Sequence, residues 1–178
     1  MKNKDLKGFT LIELLIVIGI IAILAGIVLV AVNPAQQFGK ANDSERKSEL
    51  GTVLSAVYQF QTSPTARGAL PECTVATVAT AIPECDGAGT GVFDGALELG
   101  TAATSYDCST TLVPSYLREI PIDPASGFDA TATGYWICQD TTGAVSRIYV
   151  IAEGTEVFTD DGGCQVPGTT TATMCVSG

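Results

Sequence analysis

The sequence predicts an α+β protein in which a long N-terminal helix packs its C-terminal half on a small antiparallel β-sheet head with disulfide-stabilised loops. Three observations lead to this class. An almost uncharged apolar run covers residues 9–32, and an amphipathic run with helical spacing covers residues 43–62. Short β-rich runs follow within residues 63–178, together with all the cysteines. Helix-forming sequence that precedes a set of strands is typical of the α+β class.

The apolar run, residues 9–32, has the length of a membrane span. Its 24 residues hold one ionisable side chain, Glu13. At about 1.5 Å per residue, such a helix is roughly 36 Å long, which exceeds the hydrocarbon core of about 30 Å. Residues 1–8 carry three lysines and one aspartate, so this flank is expected to stay cytoplasmic while the head lies outside. We therefore predict a transmembrane helix.

Glu13 is the exceptional residue of this run. A secretory signal has a shorter apolar region and small residues at its cleavage site, and this segment does not fit that pattern. A carboxylate inside a membrane helix is costly, which indicates a functional site with a partner. Cleavage between Gly8 and Phe9 creates such a partner, because the new α-amino group is largely protonated at neutral pH. In a bundle of identical helices, Glu13 of one copy is expected to pair with the Phe9 amine of the next.

The stretch K-G-F-T-L-I-E-L-L-I-V-I-G-I-I-A-I-L-A resembles the prepilin N-terminus of bacterial type IV pilins and type II secretion pseudopilins. Gly8, Phe9 and Glu13 match that motif residue by residue. The resemblance implies the pilin fold, removal of residues 1–8 as a leader by a membrane prepilin peptidase, N-methylation of Phe9 and helical assembly in which Glu13 takes part. The alternative is a plain signal anchor with a chance glutamate.

The resemblance implies a structural role. The precursor would lie in the cytoplasmic membrane, in contact with lipid and with the inner-membrane pilus assembly platform. It would then polymerise with copies of itself into an extracellular type IV pilus used for adhesion, twitching motility or DNA uptake. A pseudopilin of a type II secretion or competence system is the alternative. A membrane-anchored binding protein that never polymerises is a third hypothesis, which explains neither Glu13 nor the charged leader.

A break is expected after the span. Pro34 lacks an amide hydrogen and Gly39 weakens a helix, so residues 33–42 are predicted to form a kinked or partly unwound linker. The resemblance implies a loosened stretch of this kind in the assembled filament. A continuous helix bent at Pro34 is the alternative for a free subunit.

Residues 43–62 predict an amphipathic helix that packs on the head. Asp43 or Ser44 is its expected N-cap. Apolar and polar residues alternate with helical spacing, so one face must be covered by other elements. The apolar face holds Leu50, Val53, Leu54, Val57, Tyr58 and Phe60, and the polar face holds Arg46, Lys47, Glu49, Thr52, Ser55 and Gln59.

The head begins with a segment of poor periodicity. Residues 64–114 are rich in threonine, alanine, glycine and proline, and they predict long loops with a short helix near residues 93–99. The stretch Y-L-R-E-I-P-I-D-P follows and is similar to a segment before the sheet in major pseudopilins. Pro121 and Pro124 are expected to fix an extended turn in which Asp123 bonds backbone amides. A purely structural role is preferred for this turn.

The sheet is predicted from β-rich runs. Residues 134–139 and 145–152 are rich in β-branched and aromatic side chains and predict a hairpin. A third strand is expected at residues 155–158 or at residues 171–176, next to a C-terminal loop. The result is a small antiparallel sheet on the amphipathic helix.

All the cysteines lie beyond the apolar run, which favours disulfides in an oxidising compartment. They are Cys73, Cys85, Cys108, Cys138, Cys164 and Cys175. Six cysteines allow 15 pairings, among which the sequence does not choose. The working expectation is Cys73–Cys85, Cys108–Cys138 and Cys164–Cys175. No metal is expected, because C-x-x-C and histidine are absent and no D-x-D-x-D-G calcium pattern surrounds Asp160 and Asp161.

Charge and composition exclude several functions. The net charge is −10, and it becomes −12 when residues 1–8 are removed. Only three arginines follow Lys47, so no basic surface for direct nucleic-acid binding is expected. The chain has no histidine, which excludes Ser-His-Asp and Cys-His catalytic systems, and no phosphate-binding loop is present. We predict a protein that is not an enzyme, with no catalytic residue and no cofactor.

Replacing Gly8 with leucine is expected to block removal of residues 1–8, because the prepilin motif places glycine at the cleaved bond. The processed and unprocessed proteins differ in mobility on a gel, so the variant should run with the precursor. Gly19→Leu, which changes a glycine inside the apolar run, is the control and should be processed normally. A Gly8→Leu protein that still loses its leader contradicts the assignment of the cleavage site.

Overall fold

The computed structural model describes residues 8–85, 95–142, 145–154 and 174–178. The chain forms two compact units that divide between Phe38 and Gly39. The predicted α+β class, with a helical N-terminal region, an antiparallel sheet and disulfides, is confirmed. The elements within the described residues are α1 (Leu11–Val32), α2 (Pro34–Thr62), β1 (Cys73–Val75), β2 (Val78–Thr80), β3 (Leu97–Glu98), β4 (Tyr135–Asp140), β5 (Arg147–Ala152) and β6 (Met174–Ser177).

One residue, Asn33, separates the two helices. Its backbone is left-handed, with φ of 42°, a conformation that asparagine tolerates better than most residues. Pro34 then begins α2, because its fixed φ and missing amide hydrogen suit the first position of a helix. Gly39 is buried within α2 and does not interrupt it. In the single chain the break is therefore confined to Asn33, which differs from the predicted linker over residues 33–42.

The apolar face of α2 covers the sheet, as predicted. Leu50, Val53 and Val57 are at most 1% exposed, and Ala56 is buried beside them. These four side chains share one core with residues of β4, β5 and β6. Complete burial of a leucine or valine side chain stabilises a fold by about 1.5–3 kcal/mol, so this contact is a main source of stability for the head.

The predicted polar face of α2 needs a correction. Arg46 was expected in solvent, but its side chain is fully buried and forms ion pairs with Asp43 and Asp123. Glu49 is half-buried and accepts a hydrogen bond from the phenol of Tyr135. Its burial raises the pKa of Glu49. Helical spacing does not reveal these partners, because they come from loops and strands that are distant in sequence.

The four strands β3 to β6 form one antiparallel sheet in the order β3-β4-β5-β6. In the central pair, Ile137 lies opposite Val150, and both belong to the core that includes α2. The neighbouring pair, Cys138 and Tyr149, belongs to a second buried cluster. The central strands therefore carry buried side chains on both faces, and the two predicted β-rich runs are confirmed as β4 and β5.

The remaining strands differ from the predictions. The expected short helix at residues 93–99 is wrong for its last part, because Leu97 and Glu98 form β3 and pair with β4. Pairing with an existing strand outweighs a weak local preference for helix. β6 overlaps the expected strand at residues 171–176 and continues to Ser177. The alternative at residues 155–158 lies outside the described residues.

A two-stranded hairpin, β1–β2, was not predicted. Its turn residues, Ala76 and Thr77, have positive φ values of 47° and 73°, although turns of this kind favour asparagine and glycine. The base of the hairpin is held by Tyr106, which is fully buried. The Tyr106 phenol oxygen lies 3.1 Å from the carbonyl oxygens of Pro71 and Thr80. This tertiary anchor explains why a turn without the usual residues persists.

The disulfide pairing also differs from the expectation. The bonds are Cys73–Cys108 and Cys85–Cys138, so the expected Cys73–Cys85 and Cys108–Cys138 pairs are wrong. Each bond lies next to an isolated β-bridge that joins segments distant in sequence, as between Thr74 and Asp107. The sequence separations are 35 and 53 residues, for which the loop-entropy model gives about 4 kcal/mol per bond.

Two expectations fall outside the described residues. The pair Cys164–Cys175 includes Cys164, so it stays a prediction. Asp160 and Asp161, at which no calcium site was expected, also lie outside the described residues. Among the residues that the structure describes, no group of three or more carboxylate, histidine or cysteine side chains is arranged to hold a metal ion.

Alkaline pH is expected to destabilise the head through Tyr106. Burial raises the pKa of Tyr106 to about 12, whereas an exposed tyrosine titrates near 10. Between these values the unfolded chain releases a proton that the folded chain keeps, so stability falls as the pH rises from about 10 to about 12. The measurement is the thermal unfolding midpoint of the full chain in detergent micelles.

Tyr106→Phe should show a shallower fall over this window, although its midpoint at neutral pH should be lower. Some fall should remain, because burial also raises the pKa values of Tyr58 and Tyr135. Between pH 7 and 9 the midpoints of the two proteins should change in parallel. Parallel curves over the whole range, up to pH 12, would contradict this account.

Candidate processing and assembly site

The described residues ahead of α1 are not helical. Gly8, Phe9 and Thr10 precede the first helical residue, and all three are exposed. A Cβ atom placed on Gly8 would meet nothing within 4 Å. The bond between Gly8 and Phe9 therefore lies in accessible, non-helical chain, which is the backbone form that a protease requires.

Thr10 and Glu13 form a capping box at the start of α1. Thr10 is the N-cap, and its hydroxyl oxygen accepts the amide hydrogen of Glu13 at 3.3 Å. In return, Glu13 Oε2 accepts the Thr10 amide at 2.8 Å and the Thr10 hydroxyl at 2.7 Å. These bonds satisfy backbone donors that a helix start otherwise leaves without partners. They also give the carboxylate two donors from its own chain.

The two oxygens of Glu13 have different surroundings. Both bonds to Thr10 end on Oε2, and within the described residues Oε1 has no partner. Because a carboxylate oxygen in an apolar medium is stabilised by hydrogen bonds and opposite charge, Oε1 is suited to receive an ammonium group. The chemistry of the site therefore combines an internal cap with one free acceptor.

The role of Thr10 was not predicted from the sequence. The pattern T-x-x-E at residues 10–13, directly before an apolar run, is the sequence form of a capping box. This local partner of Glu13 is therefore readable from the sequence, although it was not among the predictions. The structure places Gly8 and Phe9 directly ahead of α1 and Glu13 in its first turn.

α1 buries none of its residues within the chain. All 22 positions are exposed, and the side chains are apolar on every side of the helix. A helix that is apolar all round is covered either by lipid or by other helices. In the described part of the chain, α1 is the one helix long and apolar enough to cross a membrane.

The comparison with protein families identifies this segment. Residues 3–29 match the family model described as the prokaryotic N-terminal methylation motif. No significant match to the chain was found among curated proteins or among solved structures.

The motif and the hydrophobic N-terminal helix support a protein of the type IV pilin and pseudopilin kind, as the sequence predicted. This motif implies processing by a prepilin peptidase and assembly into a filament, and its family is structural rather than catalytic. The apolar helix fits a membrane-anchored precursor.

Thr10→Val is expected to loosen the first turn of α1, because valine has the shape of threonine but cannot accept the Glu13 amide. Loss of an N-cap costs about 0.5–2 kcal/mol, which corresponds to roughly two- to thirty-fold faster hydrogen exchange of the Glu13 amide. The measurement is amide exchange by NMR in detergent micelles. Thr10→Ser keeps the hydroxyl and should exchange like the wild type. Equal exchange in Thr10→Val and Thr10→Ser would show that the capping box does not form.

Proposed function

We propose that this chain is the structural subunit of an extracellular type IV pilus. The prepilin peptidase cleaves between Gly8 and Phe9, and the Phe9 amino group is then methylated. The single observation that carries the proposal is the match to the methylation motif around a helix with one carboxylate. The pilus serves adhesion, twitching motility or DNA uptake.

Assembly follows from the exposed surface of α1. In the precursor this surface contacts membrane lipid, and the pilus assembly platform transfers it into a bundle of identical helices. Glu13 Oε1 then receives the Phe9 ammonium group of a neighbouring copy, while Oε2 stays on Thr10. An unpaired charge among apolar helices is heavily penalised, so this pairing fixes the axial register between subunits.

The head supports an extracellular location. Its two disulfides within the described residues are stable in oxidising compartments and rare in the cytosol. The net charge of −12 after removal of residues 1–8 keeps such heads soluble on the outside of a fibre.

A pseudopilin of a type II secretion or competence system is the second candidate. The observation that favours it is the I-P-I-D-P turn, whose Asp123 is 3% exposed and bonded both to Arg46 and to the Ala125 amide. This turn resembles the corresponding segment of major pseudopilins, and that resemblance supports the second candidate. A pseudopilin would form short periplasmic fibres in place of long surface fibres.

Glu13→Ala is expected to leave cleavage intact but to abolish fibres, since the neighbour's ammonium group loses its acceptor. Processing is followed on a gel, and fibres are counted by electron microscopy of the cell surface. Glu119→Ala removes an exposed carboxylate from the head and should give normal fibres.

The wild-type images distinguish the candidates. Long surface fibres that contain this subunit favour the pilus, and short fibres confined to the periplasm favour the pseudopilin. A normal fibre yield from Glu13→Ala would contradict the pairing, and wild-type protein found only as monomers would overturn both candidates.

A further inference from the structure

The loops of the head enclose an open pocket with a volume of about 240 Å³. Its apolar walls come from Val113, Ile120, Ile122 and Ala130. Ile122 is 40% exposed, whereas most large apolar side chains of the described head are covered. A concave apolar surface that the chain leaves open is the usual form of a site for a small molecule.

The walls of this pocket are held in place by the fold. The backbones of Asp107 and Thr74 exchange two hydrogen bonds, at 2.9 and 3.0 Å, and the next residue, Cys108, is held by a disulfide. On another wall, the Thr101 amide donates to the Ala130 carbonyl oxygen at 3.0 Å. A ligand therefore meets a preformed site and has little chain to order, which favours binding.

Two carboxylates, those of Asp107 and Glu119, belong to residues of the lining. Asp107 Oδ1 accepts the Ser109 amide at 2.9 Å, whereas Oδ2 has no partner among the described residues. Glu119 is exposed and likewise forms no hydrogen bond or ion pair within the described part of the chain. The described lining residues include no lysine or arginine, so the negative charge of the pocket is not compensated there.

This combination of apolar walls and free carboxylates discriminates between ligands. A neutral molecule would displace water from the half-buried Asp107 without replacing its hydrogen bonds, which is unfavourable, and an anion would be repelled. A cation with an apolar body covers the walls and also gives Asp107 Oδ2 a charged donor. The volume suits a compact body, since a cavity of roughly 150 Å³ accommodates a benzene ring.

We propose that this pocket binds small organic ammonium ions, in which a primary amine is attached to a compact apolar body such as a phenylethyl group. The apolar body lies against Val113, Ile120 and Ile122. The ammonium group donates to Asp107 Oδ2, and the charge of Glu119 adds to the attraction. Binding is a property of the folded head of one subunit and requires neither cleavage after Gly8 nor polymerisation.

The test is an NMR titration of the full chain in non-ionic detergent micelles with phenylethylammonium. The amide signals of Thr101, Ser109 and Ile120 should shift together, with a Kd of about 1 mM or lower. Phenylethanol has the same apolar body without the charge and should bind at least about tenfold more weakly. Phenylacetate should cause no shift at these amides. N-acetyllysine amide, which carries the same charge on a thin flexible chain, should bind more weakly than phenylethylammonium.

Variants separate the contributions of charge and apolar surface. Asp107→Asn keeps the backbone hydrogen bond but removes the charge, and it should weaken binding about tenfold. Glu119→Gln and Ile122→Ser change more exposed side chains and should each weaken binding about threefold. Glu153→Gln and Val145→Ser are the matched controls, because they alter an exposed carboxylate and an exposed apolar side chain outside the described lining. Both controls should bind like the wild type.

All proteins are compared at one detergent concentration, so that the same fraction of ligand enters the micelles. The proposal is overturned if the wild type shows no shift, or if phenylethanol binds as tightly as phenylethylammonium. Tighter binding of N-acetyllysine amide would also overturn it, because the pocket would then suit protein side chains. Wild-type affinity in folded Asp107→Asn has the same consequence. If that variant does not fold, unchanged affinity in both Glu119→Gln and Ile122→Ser decides against the site.

Discussion

A helix that finds no cover within its own chain is the constraint on which the rest of the molecule depends. α1 presents 22 exposed residues, nearly all of them apolar, and removal of apolar surface from water is the main driving force of folding and association. The chain therefore needs lipid or other copies before its structure is complete. Three neighbouring features are interpreted together with this exposed helix. They are the positive flank, the accessible bond after Gly8 and the carboxylate of Glu13.

Glu13 lies in the helix that is proposed to move from membrane lipid into a bundle of identical helices. In the single chain, its Oε2 is held by Thr10, which gives a charged group hydrogen bonds at the apolar start of the helix. Within the described residues, the same arrangement leaves Oε1 without a hydrogen-bond partner. In the proposed assembly, Oε1 binds the neighbouring copy while Oε2 keeps the cap of α1.

The head achieves its shape with few regular elements and several links between distant segments. Three kinds of contact join parts of the chain that are far apart in sequence. They are the core between α2 and the sheet, the disulfides Cys73–Cys108 and Cys85–Cys138, and the ion pair of Arg46 with Asp123. The disulfides restrict the unfolded chain, and all of these links hold long loops in the folded one. These links explain how residues 64–114, whose sequence has poor periodicity, take part in one defined fold.

The sequence by itself determined the features that are encoded locally. The apolar run, the face of Leu50, Val53 and Val57, and the strands β4 and β5 all follow from residue type and period, because side-chain periodicity reports burial within one element. The N-terminal motif is likewise contiguous. The capping box of Thr10 is encoded in the same local way, by the T-x-x-E pattern at residues 10–13.

Only the tertiary structure decided which distant residues meet. Helical spacing placed Arg46 on a solvent face, but the proline-rich turn returns over that face and buries it. Disulfide partners and the strand β3 depend in the same way on bridges between remote segments, as between Glu84 and Gln139. A local pattern carries no information about which loop covers it, since that choice depends on the free energy of the whole packed chain.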